Sequence, residues 1–384
     1  MKKRLLVVHG GAPTAVINAS LYGVIKEAEG RYGKIYGAKG GSGGILKEAF
    51  VDLLSLPKEA IERLPHTPGS MIGTSRDHID AASYRRIVDI LIANEIDTVL
   101  FNGGNGSMDT AGKIAREIQK RNRPIRIIGI PKTIDNDIAV TDHAPGFGSA
   151  ARYLAASVQE LAADVAALPI HVSVIESMGR NTGWLTAAAL IARREGIYGP
   201  HLLYAPELAF DEERFLDEVS SLYKKHRHVV VVASEGLRTA NGDPIVEPIF
   251  KTGRSVYYGD VSAHLAMLVI KRLGVKARSE KPGILGRSSI AFQSSVDRDE
   301  AILVGRKAVQ AALEGNSEVM VGFKRISNEP YRVEPVLIPL EEVMLHEKTL
   351  PMEYLPSFGT VDESYLSWCK PLIGGPLADF SPVL

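Results

Sequence analysis

Arg126-Ile127-Ile128-Gly129-Ile130-Pro131-Lys132-Thr133-Ile134-Asp135-Asn136-Asp137 reads as a buried strand that runs directly into a loop rich in charged groups. The run from Arg126 to Ile130 is β-branched and apolar, and Pro131 ends it. Beyond the proline, one lysine, one threonine and two carboxylates fall within six residues. Two carboxylates beside a lysine can hold a Mg²⁺ ion, a base and a phosphate oxygen together. A solvated turn is the other reading of Asp135–Asp137, because Asp and Asn favour turns.

The same pattern recurs on either side. Leu5–His9 and Thr98–Asn102 upstream, and His171–Glu176 and His228–Ala233 downstream, are short apolar runs separated by helical stretches. One such helix is expected from about Thr14 to Glu29. Continuous apolar strands alternating with helices predict parallel sheets covered on both faces, and ligands then gather at the carboxyl ends of the strands. Glycine-rich loops follow the first two strands: Gly10-Gly11-Ala12-Pro13-Thr14 and Gly103-Gly104-Asn105-Gly106-Ser107. Such loops let backbone N–H groups approach a phosphate, with Ser107 expected near the N-cap of a helix starting around Met108. A tight turn needing glycine is the alternative for either loop alone. Met178-Gly179-Arg180 and Ser234-Glu235-Gly236 close two later strands. Arg180 there can clamp a phosphate, as can Arg76 in its own glycine-rich loop; a plain surface arginine is the alternative for each.

Composition bounds the function classes. The 384 residues suggest two domains. Lys plus Arg and Asp plus Glu number 45 each, so no net field draws the chain to nucleic acid or to an anionic membrane. A single cysteine, Cys369, allows no intrachain disulfide and fits a cytoplasmic setting. Neither G-x-x-x-x-G-K-[ST] nor a G-x-G-x-x-G after the first strand is present, which weighs against a P-loop enzyme and a nucleotide-linked oxidoreductase. Residues 346–384, rich in proline, are expected as an irregular tail packed on the body.

Taken in order, these loops resemble the phosphofructokinase family from about residue 4 to 325, and look nearest to its pyrophosphate-type bacterial members. Pro-x-Thr-Ile-Asp-Asn-Asp is the specific motif; Ala144-Pro-Gly-Phe-Gly-Ser-Ala150 also fits. The resemblance implies two doubly wound, Rossmann-like α/β domains with the active site in the cleft between them. The donor domain would be 1–146 with about 286–340, and the sugar-phosphate domain 147–285 with about 341–384. It implies Asp135 as the base, with Asp137, Thr133 and Lys132 beside it and Arg180 on the transition-state charge. Gly11, Arg76, Gly104, Asn105, Gly106 and Ser107 would hold the donor. Met178, Gly179, Arg180, Glu235, Arg287, Arg278 and His171 would hold fructose 6-phosphate. Mg²⁺ would sit at Asn105 and Asp135, and the chain would form a homodimer or homotetramer.

Three departures qualify this. Asn105 stands where many members have an aspartate for Mg²⁺, His171 where a further arginine is common, and Ile284 where His or Tyr is common. For the donor, Gly106 leaves room for the α-phosphate of ATP, where an aspartate would repel it. Lys132 is typical of pyrophosphate users but not confined to them. On Gly106 the expectation leans slightly to ATP, with pyrophosphate as the alternative. A catalytically weak, sugar-phosphate-binding regulatory homologue is the further alternative.

Overall fold

The computed structural model describes residues 3–75, 77, 79–193, 199–252, 255–355 and 360–380. Its strands are β1 (Arg4–His9), β2 (Lys34–Ala38), β3 (Phe50–Asp52), β4 (Thr98–Gly103), β5 (Arg126–Pro131), β6 (Val172–Ser177), β7 (Leu202–Tyr204), β8 (Val229–Ser234), β9 (Pro248–Thr252), β10 (Ser255–Tyr258), β11 (Ala277–Glu280), β12 (Val319–Asn328) and β13 (Tyr331–Pro339). The chain divides into unit 1, Met1–Ser149 with Ser288–Lys348, and unit 2, Ala150–Arg287 with Thr349–Leu384.

Unit 1 is built on a seven-stranded sheet in the order β13-β12-β5-β4-β1-β2-β3. The strands from β12 through β2 are parallel, as the continuous apolar runs require; β13 and β3 are antiparallel at the two edges. Leu5 and Val7 face one apolar layer and Leu6 and Val8 the other, and all four are buried. Helices 81–93 and 105–120 cover one face, while 17–28 and 295–313 cover the other. Strand order reverses between β1 and β4: the chain leaves β1 toward β2 and returns to the opposite side as β4. Such a reversal opens a crevice at the carboxyl ends of the two strands. Both phosphate-type glycine loops lie there.

Unit 2 carries a four-stranded, all-parallel sheet in the order β11-β6-β8-β7, and a separate antiparallel β9–β10 hairpin. Val229 and Val231 of β8 enter one apolar layer and Val230 the other, so this sheet too is covered on both faces. The carboxyl ends of the adjacent strands β6 and β8 carry the Met178 and Glu235 loops. The proline-rich tail is less irregular than its composition suggests. It forms a helix, Glu363–Cys369, whose Tyr365 hydroxyl donates to the Trp184 carbonyl amid a ring cluster of Trp184, Tyr354, Tyr365 and Trp368. Aromatic burial supplies what the local sequence lacks. Among the described residues no helix is long and apolar enough to cross a membrane.

Candidate active site

In unit 1 the loops after β1, β4 and β5 meet. The Gly10 amide donates to the Asn102 carbonyl at 2.9 Å, and the Lys132 amide to the Gly103 carbonyl at 3.0 Å. A Cβ on Gly10 or Gly103 would collide with the Ser107 hydroxyl, so the pair of glycines lets this helix start press against both strand ends. The helix begins at Asn105 with Gly104 as its N-cap, not at Met108. The extended Gly104 turns the chain into the helix at once, placing Asn105, Gly106 and Ser107 in the first turn. The Ser107 amide donates to the Gly104 carbonyl at 2.8 Å, which leaves the Asn105 and Gly106 amides, at the positive end of the macrodipole, to present to an anion. Gly106 is exposed, and nothing lies within 4 Å of where its Cβ would be. The helix expected from Thr14 starts instead at Ile17. Lys132 is buried, and its Nζ reaches back to donate to the Ala12 carbonyl beside Gly11. It therefore brings positive charge between the glycine loops. Arg76 lies outside the described residues.

The Pro131–Asp137 loop is internally braced. Thr133 Oγ1 donates to Asp137 Oδ1 at 2.8 Å and accepts the Asp135 amide at 3.1 Å. Asn105 Nδ2 donates to Asp137 Oδ2 at 2.9 Å and to its carbonyl at 3.0 Å. Asn136 turns the chain in a left-handed conformation, φ 52°, with its side chain buried. Both carboxylate oxygens of Asp137 are thus committed to holding the loop's shape. Asp135, half-buried like Asp137, has its amide held by Thr133 while its carboxylate is not tied to Thr133 or Asn105. This division suits one carboxylate that orients and one that exchanges a proton.

Asn105 also tests the fit for Mg²⁺. Because its amide nitrogen faces a carboxylate, its Oδ1 points the other way, and that oxygen is buried without a hydrogen-bond partner among the described residues. A hard amide oxygen next to the Asp135 loop suits Mg²⁺, which takes one or two protein oxygens and completes its shell with phosphate and water. No group of three or more His, Cys, Asp or Glu side chains among the described residues is arranged to hold a metal.

In unit 2 the loops after β6 and β8 interlock. The Glu235 amide donates to the Ser177 carbonyl at 2.9 Å, and Ser234 Oγ donates to the Gly179 carbonyl at 2.7 Å. Gly179 has φ 111°, which a side chain would resist. Burial pushes the Glu235 carboxyl up, and the neighbouring Arg180 guanidinium opposes that rise. Arg180 itself lies over the Tyr258 ring at 5.7 Å. Met178, Gly179, Arg180 and Glu235 therefore come together. Arg287 lies on the short helix Ile284–Ser288 that follows β11, the strand beside β6.

His171 and Arg278 do not join them. His171 precedes β6 and Met178 follows it; Arg278 pairs with Ser173 at the amino end of the same strand. Seven residues of strand at about 3.3 Å each separate the two ends by roughly 20 Å. Within one chain these two groups cannot touch a ligand bound at Met178 and Glu235. The motif order hid this, because a strand places residues seven apart at opposite edges of its sheet.

A family model described as Phosphofructokinase matches residues 4–312. The chain belongs to the phosphofructokinase family. It is 40% identical, over 97% of this chain and 93% of the relative, to a pyrophosphate–fructose 6-phosphate 1-phosphotransferase of Xanthomonas campestris pv. campestris. It is 32% identical, over 97% and 96%, to a sulfofructose kinase of Alkalicoccus urumqiensis. Among solved structures, the pyrophosphate-dependent phosphofructokinase of Nitrosospira multiformis superimposes with a TM-score of 0.89 at 33% identity, covering 99% of this chain and 95% of that one. These relatives lend no support to the lean toward ATP drawn from Gly106.

One residue escaped the sequence reading altogether. His9, the last residue of β1, is fully buried. Its Nδ1 lies 2.8 Å from Ser70 Oγ, which donates its own proton to the Gly73 carbonyl. Nδ1 must therefore carry the hydrogen, leaving Nε2 as a buried acceptor without a hydrogen-bond partner among the described residues. Burial, reinforced by the Lys132 charge, holds this imidazole neutral with its pKa lowered to about 3. A polar residue ending an otherwise apolar strand, just before Gly-Gly, was the available signal.

Proposed function

We propose that the chain transfers a phosphoryl group from pyrophosphate to the 1-hydroxyl of fructose 6-phosphate, giving fructose 1,6-bisphosphate, in the cytoplasm. The observation that carries this is the braced Pro131–Asp137 loop, with Asp135 presented from it and Asn105 oriented against Asp137. Asp135 accepts the proton of the attacking hydroxyl. Asp137, committed to Thr133 and Asn105, holds the loop while charge moves. The first-turn amides of Asn105 and Gly106 and the Lys132 ammonium meet the phosphate oxygens of the donor. Arg180 meets charge on the transferring group, and Met178, Gly179 and Glu235 hold the acceptor, with Arg287 on its 6-phosphate. Phosphoryl transfer asks the protein for this kind of positioning and charge neutralisation more than for covalent chemistry. Asn105 Oδ1 and Asp135 are the groups to hold Mg²⁺, which when bound offsets negative charge on the phosphates.

The donor reading rests on the pyrophosphate-using relatives and on the cation that Lys132 places between the glycine loops, well suited to a small donor. ATP is the second reading, favoured by the open space at Gly106. A homo-oligomer, as the family resemblance leads one to expect, would allow a second copy to bring His171 and Arg278 to an acceptor. The test is turnover of fructose 6-phosphate with Mg²⁺ and either pyrophosphate or ATP, with sulfofructose as a parallel acceptor. Phosphoryl transfer with pyrophosphate and not ATP supports the proposal. Turnover of ATP alone overturns the donor, turnover of sulfofructose alone overturns the acceptor, and no turnover with any pair leaves the regulatory homologue as the reading.

A further inference from the structure

The turn that follows the base-bearing loop is strained and is held shut from outside. The Thr141 amide donates to the Ala139 carbonyl at 2.8 Å across Val140, whose φ is 68°. A hydrogen bond two residues back over a positive φ is the rarer, strained three-residue turn, and a β-branched residue is poorly suited to it. Val140 is also 59% exposed, so its own packing does not hold it there. Strain of this kind persists only where the surroundings over-determine it.

Lys348 supplies part of that constraint, beside the Phe323 backbone, whose amide donates to Thr141 Oγ1 and whose carbonyl accepts from the Asp142 amide, each at 2.9 Å. Lys348 is the last residue of unit 1 in the chain, and comes from the stretch whose sequence carried no recognisable role. Its backbone amide donates to the Asp137 carbonyl at 2.8 Å, next to an antiparallel bridge between Ile138 and Glu347. Its Nζ donates to the Thr141 and Asp142 carbonyls, each at 2.8 Å. One residue thus grips the turn at both ends, and its entry end is Asp137 itself.

We infer that Lys348 is a positioning residue for phosphoryl transfer: it clasps residues 137–142 and so fixes the Asp137 carboxylate between Thr133 and Asn105. This deepens the transfer reading above and rests on it. The Met side chain has similar length without donors, whereas Gln keeps two N–H donors on a shorter stem.

The experiment compares wild type, Lys348→Met and Lys348→Gln, each also in an Asp137→Asn background, by steady-state kinetics and by amide hydrogen exchange over residues 133–142. A displaced catalytic group costs up to about 100-fold, so Lys348→Met is expected to lose about 10- to 100-fold in kcat. Both KM values should stay within about threefold. Lys348→Gln should recover part of the loss. In the Asp137→Asn background Lys348→Met should cost less than about threefold, since groups acting as one unit are not additive. Exchange over 133–142 should quicken in Lys348→Met whether or not the protein turns over. An equal kcat loss in both backgrounds, unchanged kcat with unchanged exchange, or failure of both Lys348 variants to fold would overturn the inference. A wild type that exchanges slowly at the turn, with the Met variant fast, but transfers nothing would instead sink the transfer reading and leave the clasp a purely structural one.

Discussion

The candidate site residues of unit 1 and those of unit 2 are arranged on different principles. In unit 1 the expected site residues lie in the loops after β1, β4 and β5, and Thr133 and Asn105 both hydrogen-bond to Asp137. In unit 2 the residues expected around the sugar are divided: Met178, Gly179, Arg180 and Glu235 gather at the carboxyl ends of β6 and β8, while His171 and Arg278 stand at the amino end of β6 and its neighbour. A loop keeps sequence neighbours together in space, whereas a strand carries them to opposite sides of a sheet. Motif spacing therefore kept the residues expected in unit 1 together in space and did not do so for all of those expected in unit 2.

The largest effect should come from the first. Asp135→Asn keeps shape and removes the base, so kcat should fall by about 10²–10⁴ while substrates still bind. A variant keeping more than half of wild-type kcat would show that the proton goes elsewhere. Gly106→Asp comes next. The site has room for the side chain, so thermal stability should be nearly unchanged, yet the carboxylate would face the α-phosphate of ATP. Like charges at ~4 Å cost about 1–4 kcal/mol, so any kcat/KM for ATP should drop by about 10- to 10³-fold while pyrophosphate use survives. ATP use that is present and untouched would remove this loop from the donor site.

Arg287 and Arg278 test the division in unit 2. Arg287→Ala should raise KM for fructose 6-phosphate by about 10- to 100-fold, from the loss of a charge-assisted contact of about 1.5–3 kcal/mol, with the donor KM little changed. Arg278→Ala should weaken acceptor binding only if a second copy delivers this group. In that case, mixing inactive Arg278→Ala and Asp135→Asn subunits should restore part of the activity in hybrid oligomers. No recovery would leave Arg278 outside the acceptor pocket.

The smallest effect is on stability and treats both units alike. Burial lowers His9 to about 3 and His201 to about 4 from an ordinary 6.5. The unfolded chain takes up these protons first. The stability from keeping both rings neutral is therefore present above pH 6.5 and is lost as pH falls toward 4 and then 3, at up to about 1.4 kcal/mol per pH unit for each. Asp297, pushed up to about 6 from 3.8 by burial, works in the opposite sense between those values. A thermal midpoint falling below pH 6.5, with a shallower fall in His9→Gln, is the expected profile. A midpoint flat from pH 6.5 to 4.5 would contradict it.

Sequence alone determined the strand runs, the glycine loops at their carboxyl ends and the family. These depend on local periodicity and on residues adjacent in the chain, such as Pro131–Asp137. It did not reveal that Ser107 lies inside a helix begun by Gly104, because the extended entry of Gly104 is set by packing against β1 and β4. Nor could it separate His171 from Met178 or connect Lys348 with Asp137. The first depends on which end of a sheet each residue occupies. The second depends on a hydrogen bond across 211 residues of chain (348 − 137), formed where the segment ending unit 1 pairs with residues 137 and 138. Local pattern reports which groups can do the chemistry; only tertiary pairing decides which of them stand together.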